Sequence, residues 1–154
     1  MRETPEGWPR ISSSLFYDDA PKAIDWLGRA FGFEVRLKVE GGDGGIVHSE
    51  LVFGDGVIMV ASASRQAFWK SPRSIGGTNT QSLFMYVDDV EAHCARARAA
   101  GAQIATELKT SDYGADWWVD RSYEAVDPEG HHWWFSQRMS SAKNIPWGTT
   151  HREP

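Results

Sequence analysis

Apolar and polar side chains alternate with a short period over residues 11–17, and this marks a strand that closes on Asp18-Asp19. Asp19 is placed to cap a helix, and Pro21 suits the first turn. Ala23, Ile24, Leu27 and Phe31 then recur at helical spacing with Trp26 and Ala30 beside them, and Gly32 ends the run. Residues 33–39 read as a second strand, the glycine-rich stretch 40–45 as a turn and 46–53 as a third strand. Gly54-Asp55-Gly56 predicts a tight hairpin into a fourth strand over 57–61.

After a looser segment holding Phe68, Trp69, Pro72 and Gly76-Gly77, the pattern restarts. Residues 81–87 predict a strand, Asp88-Asp89 opens a helix carrying Val90, Ala92, Cys94, Ala95, Ala97 and Ala99, and Gly101 ends it. Strands follow over 103–108, 119–126 and 131–136, with Asp127-Pro128-Glu129-Gly130 as the last turn. Phe16-Tyr17-Asp18-Asp19 and Tyr86-Val87-Asp88-Asp89 stand 70 positions apart, and Gly56 and Gly130 each precede a last strand. The chain therefore reads as two copies of one unit. The expected fold class is α+β: paired βαβββ modules forming a concave mixed-sheet cup. Its divisions are an N-terminal extension 1–10, a first module 11–61, a connecting segment 62–80, a second module 81–137 and a tail 138–154.

At 154 residues the chain can bury about 70% of its unfolded surface without a disulfide or structural metal. The net charge of −5 and the lack of a basic stripe beyond Arg96 and Arg98 argue against a nucleic-acid partner. Cys94 is the sole cysteine, which excludes an intrachain disulfide and a cysteine-built metal centre. No apolar run suits a signal peptide or a membrane span, so a cytoplasmic location is the expectation. The eight tryptophans, Trp8, Trp26, Trp69, Trp117, Trp118, Trp133, Trp134 and Trp147, supply either core or a pocket lining.

Several stretches resemble the vicinal oxygen chelate superfamily, which includes glyoxalase I, extradiol dioxygenases and bleomycin resistance proteins. They are Leu15-Phe16-Tyr17-Asp18-Asp19, Ala23-Ile24-Asp25-Trp26-Leu27, Phe31-Gly32-Phe33, His48-Ser49-Glu50-Leu51, Gly54-Asp55-Gly56-Val57-Ile58-Met59, Asp112-Tyr113-Gly114 and Asp127-Pro128-Glu129-Gly130-His131-His132-Trp133. The resemblance implies paired βαβββ modules, usually assembled as homodimers. It also implies four strand positions where relatives hold a metal, and here these count to Ser12, Ser82, Val60 and Trp134. Two hydroxyls, an isopropyl group and an indole do not suit a divalent ion, so no metal and no cofactor is expected.

With Ser12 facing the cup, alternation places Ser14 and Phe16 there, then Ser82, Phe84 and Tyr86, then Ile58 and Val60, then His132, Trp134 and Ser136. Ser13, Leu15, Tyr17, Leu83, Met85 and Val87 take the helix side. Trp117 and Trp118 form a rim, with Asp116 or Asp120 beside them to attract a cationic ligand. Phe68 and Trp69 form a lid. His48, Glu50 and His132 are the catalytic candidates, as a metal site or as acid–base groups; a ligand-facing or structural role is the other reading. His93 is expected to face solvent, and His151 lies in the tail.

Three functions are consistent with this pattern. One is a metal-free binding protein of the bleomycin-resistance kind, holding a planar or amphipathic small molecule in an aromatic cup. Another is a glyoxalase-like lyase or isomerase, or a dioxygenase-like enzyme, using His48, Glu50 and His132. The third is a non-catalytic structural or regulatory dimer with a filled cup.

Overall fold

The two repeats emerge as two four-stranded mixed sheets, each carrying one helix. The computed structural model describes residues 1–63 and 68–143; Trp147 and His151 lie outside them. The first module runs β1 (Ser13–Tyr17), α1 (Ala20–Phe31), β2 (Glu34–Glu40), β3 (Ile46–Phe53) and β4 (Gly56–Ser62). The second runs β5 (Leu83–Tyr86), α2 (Val90–Ala99), β6 (Gln103–Asp112), β7 (Trp118–Val126) and β8 (His132–Ser141). The sheet orders are β1-β4-β3-β2 and β5-β8-β7-β6, with β1–β4 and β5–β8 parallel. One element order and one strand order thus occur twice.

Both helices start alike. Asp19 accepts from the Lys22 N–H and Asp89 from the Ala92 N–H, each satisfying a donor that has no partner within its helix. Helix α1 buries Ala23, Ile24, Leu27, Ala30 and Phe31 and leaves Lys22, Asp25 and Arg29 outside. Gly32, at φ 87°, terminates it in the left-handed conformation that costs glycine least. The last carbonyls of α1 are then satisfied by α2. Arg96 donates to the Gly28 and Arg29 carbonyls at 2.7 Å each, and His93 Nε2 meets the Phe31 carbonyl at 3.0 Å. Trp26 Nε1 returns a bond to the Ala100 carbonyl at 2.8 Å. Small buried residues on α2, Cys94 and Ala97, suit this helix contact.

One core joins the modules. Phe31 packs on Trp133 and Phe135 with ring centroids 5.3 and 4.7 Å away. Leu15, Tyr17, Leu51, Ile58, Val60, Tyr123, Ala125, Trp133 and Phe135 form the helix-covered sheet faces. This corrects the expected placement of Ile58 and Val60. In register Leu15 pairs with Val60, so both lie on the helix side, and Met59, paired with Ser14, takes the open side. The error has a geometric source. Val52 pairs with Val57, whereas Val126 pairs with His132, so the second terminal turn is longer and equal counts from its glycine do not reach equivalent positions.

Other expectations change for similar local reasons. His93 is packed among Phe31, Phe53, Tyr123 and Phe135 rather than facing solvent, because α1 lies over it. Ser136 keeps the expected face of β8, beside Tyr86, but is fully buried there, its hydroxyl 2.8 Å from that of Ser122. Strand β6 extends to Asp112 and β8 to Ser141, past the strand ends expected at 108 and 136, because Trp118 pairs with Ser141 and Asp112 with Val119.

Candidate functional site

The open faces of the two sheets are built on the same three-strand column. In the first module Ser14, Met59 and Glu50 lie side by side on β1, β4 and β3. In the second the same places hold Phe84, Trp134 and Glu124 on β5, β8 and β7. One step along, Phe16 and Ala61 correspond to Tyr86 and Ser136.

Glu50 is engaged within its own module. Its Oε2 accepts from Arg36 at 2.7 Å and its Oε1 lies 3.2 Å from His48 Nε2. Partial burial alone would raise the Glu50 carboxyl, but the bonds from His48 and Arg36 hold it below its ordinary value. Arg36 also donates to the Gly7 carbonyl at 2.5 Å and lies 4.8 Å above the Trp8 ring. The N-terminal extension is thereby fastened to this sheet.

Glu124 is engaged differently. Its Oε1 lies 2.6 Å from His132 Nδ1, and its Oε2 accepts from Thr106 Oγ1 at 3.0 Å. In the neutral ring, a carboxylate facing that nitrogen selects the tautomer with the proton on Nδ1 and a lone pair on Nε2. His48 and Glu50 therefore form one group on the first sheet, and His132 joins Glu124 on the second.

Farther along the second sheet, Arg138 lies 5.1 Å above Tyr86 and 4.8 Å above Trp118, donating to Asp120 Oδ1 at 2.5 Å and also to the Tyr86 hydroxyl. Asp120 is buried and serves this internal cation, which removes it from the expected role of attracting a ligand's charge. Burial, then the nearby Asp120 carboxylate, raises the Tyr86 hydroxyl above its ordinary value. Trp117 stands edge-on to Trp118 at 5.7 Å.

The sheets approach each other where Gln81 Nε2 donates to Ser13 Oγ at 3.2 Å and His131 Nε2 to the Phe16 carbonyl at 3.0 Å. A cavity of about 280 Å³ opens at this junction, lined by Ser14, Phe16, Phe68, Lys70, Gln81 and His132 among others. Trp69 stacks on Phe16 with centroids 4.9 Å apart, and Phe68 meets Trp69 edge-on. Ser12, Ser82 and Phe84 line a second depression with Phe33 and Phe53, and Phe84 and Tyr86 border a third. The Ser12 hydroxyl is shielded from solvent without a hydrogen-bond partner among the described residues. Of the expected lining, Ser14, Phe16 and His132 are brought together, while Trp118 sits beyond Tyr86 against Arg138 and Trp117 stands against Trp118.

The turn at Asp127-Pro128-Glu129-Gly130 is a clamp between modules. Glu129 accepts from the Asp18 and Asp19 N–H groups at 2.6 and 2.9 Å. Asp127 accepts from the Tyr17 hydroxyl at 2.7 Å, from Trp133 Nε1 at 3.1 Å and from two N–H groups of its own turn. Burial, then the Asp127 charge, pushes the Tyr17 hydroxyl well above its ordinary value.

The residues do not fit a divalent ion. Ser12, Ser82 and Trp134, with Met59 at the position equivalent to Trp134, offer hydroxyls, an indole and a thioether. Glu50 and Glu124 are each held by other side chains. Among the described residues no three His, Cys, Asp or Glu side chains are grouped to hold a metal.

Residues 10–135 match the family model of the Glyoxalase/Bleomycin resistance protein/Dioxygenase superfamily. The chain belongs to this superfamily. Relatives within reach include the uncharacterized protein Rv0887c of Mycobacterium tuberculosis, 36% identical over 132 residues, covering 84% of this chain and 74% of that protein. The crystal structure of TioX from Micromonospora sp. ML1 superposes with a TM-score of 0.64 at 31% identity, covering 88% of this chain and all of that one. A glyoxalase/bleomycin resistance protein from Streptomyces sp. CB03234 shares the fold, with a TM-score of 0.58 at 19% identity over 82% of this chain and 97% of that one.

Within this superfamily member, sequence reasoning missed Glu124, Arg36, Arg138 and Lys70. A signal for Glu124 was present: it follows Glu50 by 74 positions, the interval separating Gly56 and Gly130. The arginines carried none, since which carboxylate a long side chain reaches depends on strand register.

Proposed function

We propose that this protein is a metal-free binding protein for a planar or amphipathic small molecule, held on the open faces where the two modules meet. The observation that carries this reading is the junction cavity, in which Phe16, backed by Trp69, and Phe68 supply apolar wall while Ser14, Gln81, Lys70 and His132 supply a few polar contacts. Such a lining gives affinity through area and orientation through polar groups. Its presence counts against a filled, purely structural cup. The enzyme reading needs His48, Glu50 and His132 to converge, and His132 is committed to Glu124 instead. We place the protein in the reducing cytoplasm, consistent with the free, buried Cys94.

We further propose a homodimer. Phe84 and Tyr86 are 56% and 48% exposed on the open face, adjoining a third large side chain at Trp134. An aromatic patch of this kind favours a covering partner or ligand. Native mass spectrometry of the purified chain tests both parts. A dimer retaining an organic adduct, or acquiring one from a panel of planar aromatics at micromolar concentration, is the expected result. A chain that binds none of them, with tryptophan fluorescence unchanged across the panel, contradicts the binding reading.

A further inference from the structure

We propose that the Glu124–His132 pair is the polar anchor of the junction cavity, and that its ligands are planar aromatics bearing a hydroxyl or N–H donor on the ring edge. The inference rests on the binding reading above and names the ligand class that reading leaves open.

Three histidines lie on or beside the open faces, and their hydrogen bonds separate them. His131 spends its Nε2 proton on the Phe16 carbonyl, a link between modules. His48 turns Nε2 to Glu50, which Arg36 also holds. His132 turns Nδ1 to Glu124, and its side chain, 35% exposed, lines the cavity. Because Glu124 accepts only, the neutral ring carries its proton on Nδ1 and leaves Nε2 as an acceptor. Glu124 is itself kept in place by Thr106, so the imidazole is oriented before any ligand arrives. An oriented acceptor selects a donor, and an analogue without one leaves the acceptor dry and unpaired.

The rest of the lining agrees with that class. Phe16 and Phe68 present ring surface for stacking, which suits a flat molecule. Lys70 places positive charge on the cavity wall, which favours the electron-rich oxygen of a phenol over a cationic group. Glu124 stabilises the positive end of the imidazole dipole, and more so as the bound hydroxyl shares its proton with Nε2. No net group transfer is involved: the O–H bond lengthens toward nitrogen and re-forms when the ligand leaves.

The test uses the intact chain and two probes of nearly equal shape, 4-methylphenol and its methyl ether 4-methylanisole, titrated by calorimetry. The phenol is expected to bind about tenfold more tightly than the ether. His132→Gln and Glu124→Gln, checked for unchanged melting, are expected to erase that ratio while leaving the ether's affinity in place. Equal binding of both probes by the unmodified protein overturns the anchor and leaves the binding reading standing. A ratio that survives both substitutions also overturns it. Failure of both probes to bind overturns the reading together with the anchor.

Discussion

The first module fastens part of its open face to its own N-terminal extension, whereas the second presents an aromatic surface on the same scaffold. In one, Ser14, Met59 and Glu50 form the central column, and Arg36, clasped by Gly7 and lying on Trp8, ties Glu50 to the N-terminal extension. In the other the column is Phe84, Trp134 and Glu124, with Tyr86 one step away. The terminal turns diverge in the opposite sense. Asp55, between its two glycines, is exposed, while Asp127 and Glu129 are buried and bind the other module. A duplicated βαβββ unit thus keeps its backbone and divides its labour: the second copy supplies the clamp, an exposed aromatic column and the His132 edge of the junction cavity, and the first receives the clamp and gives Phe16 and Ser14 to that cavity. The cavity lies where the unlike surfaces meet.

The largest expected effect follows from the turns. Asp127→Ala strands the Tyr17 hydroxyl and Trp133 indole N–H in the core and frees two turn N–H groups, which costs about 4 kcal/mol of stability in urea unfolding. Asp55→Ala in the equivalent turn leaves the unfolding midpoint in place. Equal losses at the two positions would erase the distinction between clamp and plain hairpin.

The next effect concerns the aromatic wall. Phe16→Ala, which removes a stacking ring of the junction cavity, is expected to weaken binding of a planar aromatic probe by about 2 kcal/mol, or roughly 30-fold, with little change in melting, since Phe16 is not part of the buried core. Tyr86→Ala, at the equivalent place on the second sheet, is expected to change affinity by no more than about twofold on the same scale. A Phe16→Ala protein that melts early yet binds normally would make the ring a packing residue.

Exposure on the second sheet gives a third expectation. Sedimentation should report twice the 17.2 kDa chain mass. Phe84→Asp, which sets a charge where the open face carries a 56% exposed ring, should shift the protein toward the single chain. A fully buried phenylalanine contributes about 1.5–3 kcal/mol, enough to move a micromolar equilibrium. A dimer unaffected by Phe84→Asp would place the contact elsewhere.

These contrasts show which features could be read before the fold was known. Element order, both helix caps and the two-module plan follow from short-range patterns: an Asp three residues before the N–H it caps, a helical stripe, a glycine at its end. The parity of β1 and β5 was legible because the capping aspartates mark both strand ends at once. Parity on β4 was not, because the two terminal turns differ in length and the glycines mark different points. His93 was misjudged since its neighbours on α2, Ala92, Ala95 and Arg96, are exposed, and only the approach of α1 buries it. The pairing of His132 with Glu124 rather than Glu50 depends on β7 lying beside β8, a relation that strand order reveals and local sequence does not.

The smallest expected effect is a pH dependence confined to one module. Four residues beyond the capping aspartates stand Ala23 in α1 and His93 in α2. His93 Nε2 faces the Phe31 carbonyl, which only accepts, so Nε2 carries the proton and Nδ1 accepts from the Tyr123 hydroxyl at 2.7 Å. Burial among aromatic rings lowers the affinity of His93 for a second proton; the Phe31 carbonyl opposes this in part, and Arg96 adds to it. The folded-state value therefore lies below the unfolded value of about 6.5. Between the two the unfolded chain binds more protons, so stability rises with pH through that window. The contribution is complete above about pH 6.5 and is lost as pH falls from there toward the folded-state value. His93→Gln retains a donor and an acceptor but cannot titrate. Its urea midpoint should fall less steeply than that of the unmodified protein between about pH 7.5 and 5.5, a range bracketing the ordinary histidine value. Parallel slopes in the two proteins would show that His93 takes up its proton without loss, and that the polar contact between α2 and the end of α1 tolerates a charge that its aromatic surroundings argue against.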